Sequence, residues 1–280
     1  MEDRGGSVAD STPITLTVLG SAGAYRTHDD SRASGYLVQH GPTTVVLDLG
    51  HGAFAPLAAQ IGIGALPQIG AVAISHLHPD HWVDLAALRH ALVHGHKMGS
   101  DARSLSVISP SGLAARLATL LDDRTTEEQA AGAHVALQPF AFSTWRSDAA
   151  LPPLGGGRVV SVGDLTMQSA RVRHTGESYA LRVSIGDRPG LAYSGDVSHW
   201  EDLAAIVRPG DTLLCEAAGG AAQWREGDTH VTAHGAGRAA ASAGATRLLL
   251  THFGAEVDPA EAVRVAAREF SGEIVAVREG

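Results

Sequence analysis

The apolar run Ile69-Gly70-Ala71-Val72-Ala73-Ile74 leads directly into Ser75-His76-Leu77-His78-Pro79-Asp80-His81. A short, unbroken apolar run is the mark of a buried strand, so the histidines sit on the loop that leaves it. Along an extended segment side chains alternate between faces, which sends His76 and His78 the same way, placed to chelate one ion. The turn at Pro79 then delivers Asp80 and His81 together, aimed at a second point close by. Packing gains nothing from three imidazoles and an acid at these offsets. Neutral imidazole with carboxylate suits Zn2+, and also Mn2+ or Fe2+. The loop reads as part of a dinuclear metal site.

A chain of 280 residues with 44% apolar side chains can bury a large core, as one sizeable domain or two small ones. Residues 1–13 are polar and acidic, unlike a signal peptide, and read as a disordered tail. No apolar run reaches the length that spans a bilayer, so no membrane association is expected. Cys215 is the only cysteine, which excludes an internal disulfide framework and a thiolate metal cage. A reducing, cytoplasmic setting is expected. With 21 basic and 30 acidic residues the net charge is −9, which argues against extended nucleic-acid binding. A small anionic substrate held by metal ions remains compatible, and a homodimer is left open as the assembly. Lys97 is the only lysine, a bias that reads as genome composition in a chain so rich in Ala and Gly.

Strands are expected at Ile14–Leu19, Gly35–His40, Thr43–Leu49, Leu105–Ser109, Leu165–Arg173, Tyr179–Ile185, Gly190–Ser194, Thr212–Glu216, Arg247–Thr251 and Ile274–Val277. Helices are expected near Ala53–Gly62, Leu85–Val93, Gly112–Leu121, Trp200–Val207, His230–Ala243 and Pro259–Phe270. The segment Asp122–Gly163, acidic and then rich in Pro and Gly, reads as a surface excursion. Strand-rich segments followed by helices in each half suggest two packed sheets covered by helices outside.

Two ions need more ligands than one loop can give. His174, Asp196 and His252 each end a predicted strand, and ligands grafted on strand ends of a rigid scaffold are a common way to build such a site. Singly, a strand-end His or Asp is more often a cap or surface residue than a ligand; together, after the loop at 76–81, the coincidence is improbable.

In this order, with Asp48 ending an early strand, the motifs resemble those of the metallo-β-lactamase fold superfamily, over Ile14 to Val277. The resemblance implies an α/β fold of αββα sandwich type, one hydrolase domain over residues 14–280, and two divalent cations. It implies that one cation takes His76, His78 and His174, the other Asp80, His81 and His252, with Asp196 bridging. Such a pair would hold a water and lower its pKa towards neutrality. Asp48 is expected to accept an imidazole N–H from outside the ligand set. Asp84, a turn past Asp80, reads either as a similar support or as a helix-surface acid.

His78 separates the chain from the di-iron reductases of this fold, which resemble it with Glu at that position. β-Lactam hydrolysis is disfavoured because no lysine follows Asp196, although Arg208, Arg225 or Arg238 could take its place. The segments Leu213-Leu214-Cys215-Glu216-Ala217 and Thr229-His230-Val231-Thr232 resemble the phosphodiesterase branch, which includes transfer-RNA 3′-processing nucleases and cyclic-nucleotide phosphodiesterases of actinobacteria. In that branch the Glu buttresses a His at the phosphate, which here matches Glu216 and His230. Asp80, His230 and Glu216 form the catalytic set in this reading; the plainer one makes Glu216 a helix cap and His230 the first residue of a helix. The activity expected is hydrolysis of a small phosphodiester such as a cyclic nucleotide. Lactone or thioester hydrolysis, an RNA endonuclease, and a non-catalytic metal-bearing module stand as alternatives. No segment matches the basic arm with which transfer-RNA nucleases grip RNA. His90, His94 and His96 read as an exposed helix face, His199 as a pocket or surface residue, and Cys215 as a buried small residue.

Overall fold

The computed structural model describes residues 12–25, 31–95, 104–130 and 137–280. Residues 1–11 of the expected tail, and His96 and Lys97, lie outside the described residues.

The first half of the chain builds a sheet of β1 (Thr15–Gly20), β2 (Gly35–His40), β3 (Thr43–Leu49), β4 (Ala71–Ala73), β5 (Leu105–Ser109) and β6 (Phe140–Thr144), in that spatial order. The second half builds another of β7 (Val159–Val162), β8 (Leu165–Val172), β9 (Ser178–Ser184), β10 (Leu191–Tyr193), β11 (Thr212–Glu216), β12 (Arg247–Thr251) and β13 (Glu273–Ala276). Each sheet begins antiparallel and ends parallel, β3 to β6 in one and β10 to β13 in the other. The two halves are therefore similar layers.

Both sheets are buried on both faces, which is why their central strands read as nearly continuous apolar runs. In β3, Val45 and Leu47 face the opposite sheet, while Val46 and Leu49 face the outer helices α1 (Phe54–Ile61), α2 (Leu85–His94) and α3 (Leu113–Leu120). In β12, Leu249 turns to the space between the sheets, and Leu248 and Leu250 pack under α5 (Ala233–Ala243) and α6 (Pro259–Ala266). Three stacked cores result, and the layers run helix, sheet, sheet, helix. No helix among the described residues is long and apolar enough to cross a membrane.

The segment Asp122–Gly163 is more ordered than its composition suggests, for it contains α4 (Thr126–Ala130), β6 and β7. Both strands pair on one side only and are partly exposed, with Val159 60% accessible, so neither carries a strong apolar pattern. Trp200–Ala205 is a 3-10 helix where an α-helix is expected. The helix expected from His230 starts at Ala233, where the Thr232 hydroxyl caps it by accepting the Gly235 N–H at 3.3 Å. His230 is thus left on the loop before it.

A candidate metal centre between the sheets

The ends of β3, β4, β8, β10, β11 and β12 meet at one edge of the sandwich and carry Asp48, His76, His174, Asp196, Glu216 and His252, while Asp80 and His81 sit on a 3-10 turn after β4 and His230 on the loop before α5. The loop at 75–82 is pinned from several sides. Ile74 N–H donates to the Ile108 carbonyl at 2.8 Å and Tyr179 N–H to that of Ser75 at 3.0 Å. Trp145, fully buried, donates its indole N–H to the Ile74 carbonyl at 2.8 Å, and Trp82 donates to Leu77 at 3.1 Å. Gly50 lets the exit of β3 pass under this loop, because a Cβ there would lie 1.9 Å from the Asp80 carbonyl oxygen.

Among the described residues, two non-glycine residues have positive φ: Asp48 at 54° and His252 at 53°. Such conformations cost about 1–3 kcal/mol each and persist where the surroundings over-determine them. Asp48 is the bulged residue of β3, since Leu49 pairs with Gly35 and Leu47 with Tyr36. The bulge re-aims its carboxylate into the sandwich.

The structure brings the seven expected ligands together around Asp196. The nearest imidazole nitrogens to its carboxylate are His252 Nε2 at 3.2 Å, His81 Nε2 at 3.3 Å, His76 Nε2 at 3.6 Å and His174 Nε2 at 3.7 Å. His78 Nδ1 lies 3.2 Å from His174 Nε2, and His81 Nε2 3.5 Å from Asp80 Oδ2. His76, His78, His174 and Asp196 offer ligand atoms all within 4.8 Å of one another, as do Asp80, His81 and His252. A third such group joins Asp196 to His230 and His252, so Asp196 stands between the first two.

Four of the five imidazoles are held from outside by the nitrogen that faces away. His76 Nδ1 lies 3.1 Å from Ser75 Oγ, His81 Nδ1 2.7 Å from Asp48 Oδ2, His174 Nδ1 2.8 Å from the Thr229 carbonyl and His252 Nδ1 3.0 Å from Ser34 Oγ. Inside, His76 Nε2, His81 Nε2 and Asp196 Oδ1 are buried without a hydrogen-bond partner. Unpaired buried polar atoms cost about 1–3 kcal/mol each, and their place in the two ligand groups fits bound cations. Imidazoles fixed through the far nitrogen are the usual arrangement of metal-binding histidines.

Charge agrees with geometry. Burial pushes His76 well below the ordinary imidazole range, lowers His78, and takes His174 to about 4. These rings are neutral near pH 7 and keep a lone pair to give. Burial works the same way on His81, but Asp196 and Asp48 outweigh it and raise that ring well above the usual range. Positive charge is therefore favoured between those two carboxylates.

Asp48 is fully buried and accepts from Ser75 N–H, Ser75 O–H, His81 Nδ1–H and Tyr193 O–H, each at 2.7 Å. Asp84 turns to α1, where it accepts the Phe54 N–H at 2.9 Å and so satisfies the start of that helix. Glu216, fully buried at the end of β11, faces His230 Nδ1 with both oxygens, at 3.0 and 3.1 Å. Its Oε1 also accepts the Val197 N–H at 2.8 Å, which ties it to the Asp196 loop. Burial opposes a charge on His230, but Glu216 outweighs it and lifts the ring to about 9. His230 lines a cleft of about 570 Å3 together with His78, Asp80, Asp196 and His252.

Ser34, Ser75, Tyr193 and Thr229 are supports that sequence reasoning missed. Ser75, Tyr193 and Thr229 lie within three residues of a site residue, which was the available signal; Ser34 is 218 positions from the histidine it holds. His90 and His94 meet at a tilt on an exposed face with centroids 4.5 Å apart, and Cys215 is buried, its thiol pushed up by burial.

The chain belongs to the β-lactamase superfamily: the profile described as "Beta-lactamase superfamily domain" matches residues 43–253. It is 30% identical to an uncharacterized protein of Mycobacterium leprae, over 95% of this chain and 87% of that one. The crystal structure of the metallo-β-lactamase fold protein YhfI of Bacillus subtilis superposes with a TM-score of 0.77 at 24% identity, covering 96% of this chain and 98% of that one. The human short-form tRNase Z follows the same fold, with a TM-score of 0.67 at 19% identity over 94% and 96% of the two chains. With its His/Asp clusters suited to divalent cations, the chain is a metallo-hydrolase of this superfamily.

Proposed function

We propose that the protein is a phosphodiesterase that hydrolyses a small anionic phosphodiester, with cyclic nucleotides the first substrates to try. The observation that carries this reading is the Glu216–His230 pair: a buried carboxylate facing an imidazole that lines the cleft beside Asp196. Two divalent cations, Zn2+ or alternatively Mn2+ or Fe2+, would supply an acidified water and neutralise charge on the phosphate oxygens. His76, His78 and His174 would hold one, Asp80, His81 and His252 the other, and Asp196 would reach both. His230 is placed to give a proton to the departing alkoxide, a step worth typically about 10²–10⁴-fold. Glu216 accepts a hydrogen bond from Nδ1–H, which fixes the ring and favours its charged form. Asp80 borders the cleft, where it would help to hold the second cation beside the substrate.

Assay of metal-replete protein against a bis-aryl phosphodiester, cyclic nucleotides, a lactone, a thioester and a β-lactam tests the reading. Turnover of the phosphodiesters is expected, with the carbonyl compounds orders of magnitude slower. His230→Ala should keep the cations and lose about 10²–10⁴-fold on alkoxide leaving groups. The loss should shrink for nitrophenolate, which leaves without a proton, and Glu216→Gln should show a milder form of the pattern. A preference for lactone or thioester would overturn the assignment.

The likeness to a tRNase Z favours RNA cleavage as a second reading. Against it stand the net charge of −9 and the segment 122–163, which supplies β6 and β7 to the sheets and carries no basic run.

A further inference from the structure

A second cavity, of about 210 Å3, shares Thr232 with the metal cleft. It begins close to the reactive centre. His199, on its wall, is three residues past Asp196, so at about 3.8 Å per residue their Cα atoms are no more than about 11 Å apart. Its volume is below the roughly 300–1,000 Å3 of drug-sized pockets and leaves room for one ring system.

The walls of this cavity are distinctive. Of the four tryptophans, Trp82 and Trp145 are buried in the cores, whereas Trp200 and Trp224 line this cavity beside His199 and His234. Trp224 is 39% exposed, and its ring meets that of His199 edge to face, with centroids 5.1 Å apart at 63°. An indole partly open in a concavity is a stacking surface, for it leaves flat apolar area to cover. Around it stand groups that read ring edges: the Gln223 amide, 3.4 Å from His234 Nε2, and the Glu201 carboxylate. Flat faces on the walls and donors and acceptors around them suit a planar nitrogen heterocycle.

We propose that this cavity is the base subsite of a nucleoside phosphodiester substrate, with the base stacked on Trp224 beside His199 and the phosphate over Asp196 and His230. The proposal rests on the phosphodiesterase reading for its reaction, but it makes a binding claim of its own.

Calorimetry on metal-replete protein with a nucleoside 5′-monophosphate and with ribose 5-phosphate tests that claim. The nucleotide should bind more tightly, and Trp224→Ala should weaken it by about 5- to 150-fold, the usual range for stacking a base on an aromatic ring, without changing ribose 5-phosphate binding. Trp224→Phe should restore most of the loss, which a merely structural role would not predict. In turnover, Trp224→Ala should lower kcat/KM for a cyclic nucleotide by a similar factor and leave a base-free ribose cyclic phosphate unchanged. Equal binding of nucleotide and ribose phosphate, or a Trp224→Ala variant that binds nucleotide like wild type, overturns the subsite. Base-selective binding with no turnover of either diester keeps the subsite and removes the phosphodiesterase reading instead.

Discussion

Asp48→Asn alters one atom in the buried centre and should selectively weaken the cation position that includes His81. The carboxylate accepts from Ser75 Oγ, His81 Nδ1 and Tyr193 OH at Oδ2, and from the Ser75 N–H at Oδ1, all at 2.7 Å. An amide has one oxygen and one NH2 to place. With NH2 in the Oδ1 position it meets the Ser75 N–H donor to donor. With NH2 in the Oδ2 position the two hydroxyls can turn to accept, but His81 cannot accept at Nδ1 unless its proton moves to Nε2. That nitrogen faces Asp80 and Asp196, and a proton there occupies the lone pair a cation would use. The first arrangement leaves a buried donor unpaired, at about 1–3 kcal/mol. At about 1.4 kcal/mol per tenfold this is roughly 5- to 150-fold in affinity, in line with the ~10–100-fold found when outer partners of metal-binding histidines are changed. Zinc binding measured by competition with a calibrated chelator should show one position weakened by about 10–100-fold. The position built on His76, His78 and His174 should change less. Two positions of wild-type affinity in a folded Asp48→Asn protein would refute this reasoning.

Gly50→Ala places a Cβ 1.9 Å from the Asp80 carbonyl oxygen, so backbone must move on the order of 1 Å; misplacement of that size costs about 10²-fold in activity, read by turnover at saturating metal. Arg182 holds the fully buried Asp211 through Nε at 2.7 Å and Nη2 at 2.9 Å, at the start of β11. Arg182→Met should therefore lower unfolding stability by about 3–5 kcal/mol in denaturant titrations, while the folded protein keeps its metal content, because the site lies at the other end of that strand.

The metal loop was legible because its chemistry is local: an apolar strand, alternation that aligns His76 with His78, and a proline that turns the chain. His174, Asp196 and His252 could be found because each follows a run of strand-forming residues. The resemblance of the ordered set then supplied the partition between two cations, and the structure brings the same residues together. Asp48 was expected to support an imidazole, and it does, yet the bulge and the positive φ that aim it are set by pairing with β2 and leave no trace in the sequence. Asp84 has the spacing to face the centre, but its carboxylate is taken up by the Phe54 N–H at the start of α1. The strands β6 and β7 were hidden because an edge strand buries little and alternates weakly. Ser34 is chosen by tertiary contact alone, 218 positions from His252. The helix α5 starts three residues later than expected because the Thr232 hydroxyl caps it at Ala233.

Metal stoichiometry tests the centre most directly. Purified chain loaded in turn with zinc, manganese or iron, freed of excess metal and analysed for elements, should carry close to two ions per chain. Asp196→Ala should depress both positions together, since its carboxylate lies within 3.7 Å of imidazoles from both groups. Trace metal after loading, or a single ion whose binding survives Asp196→Ala, would contradict a two-cation hydrolytic centre.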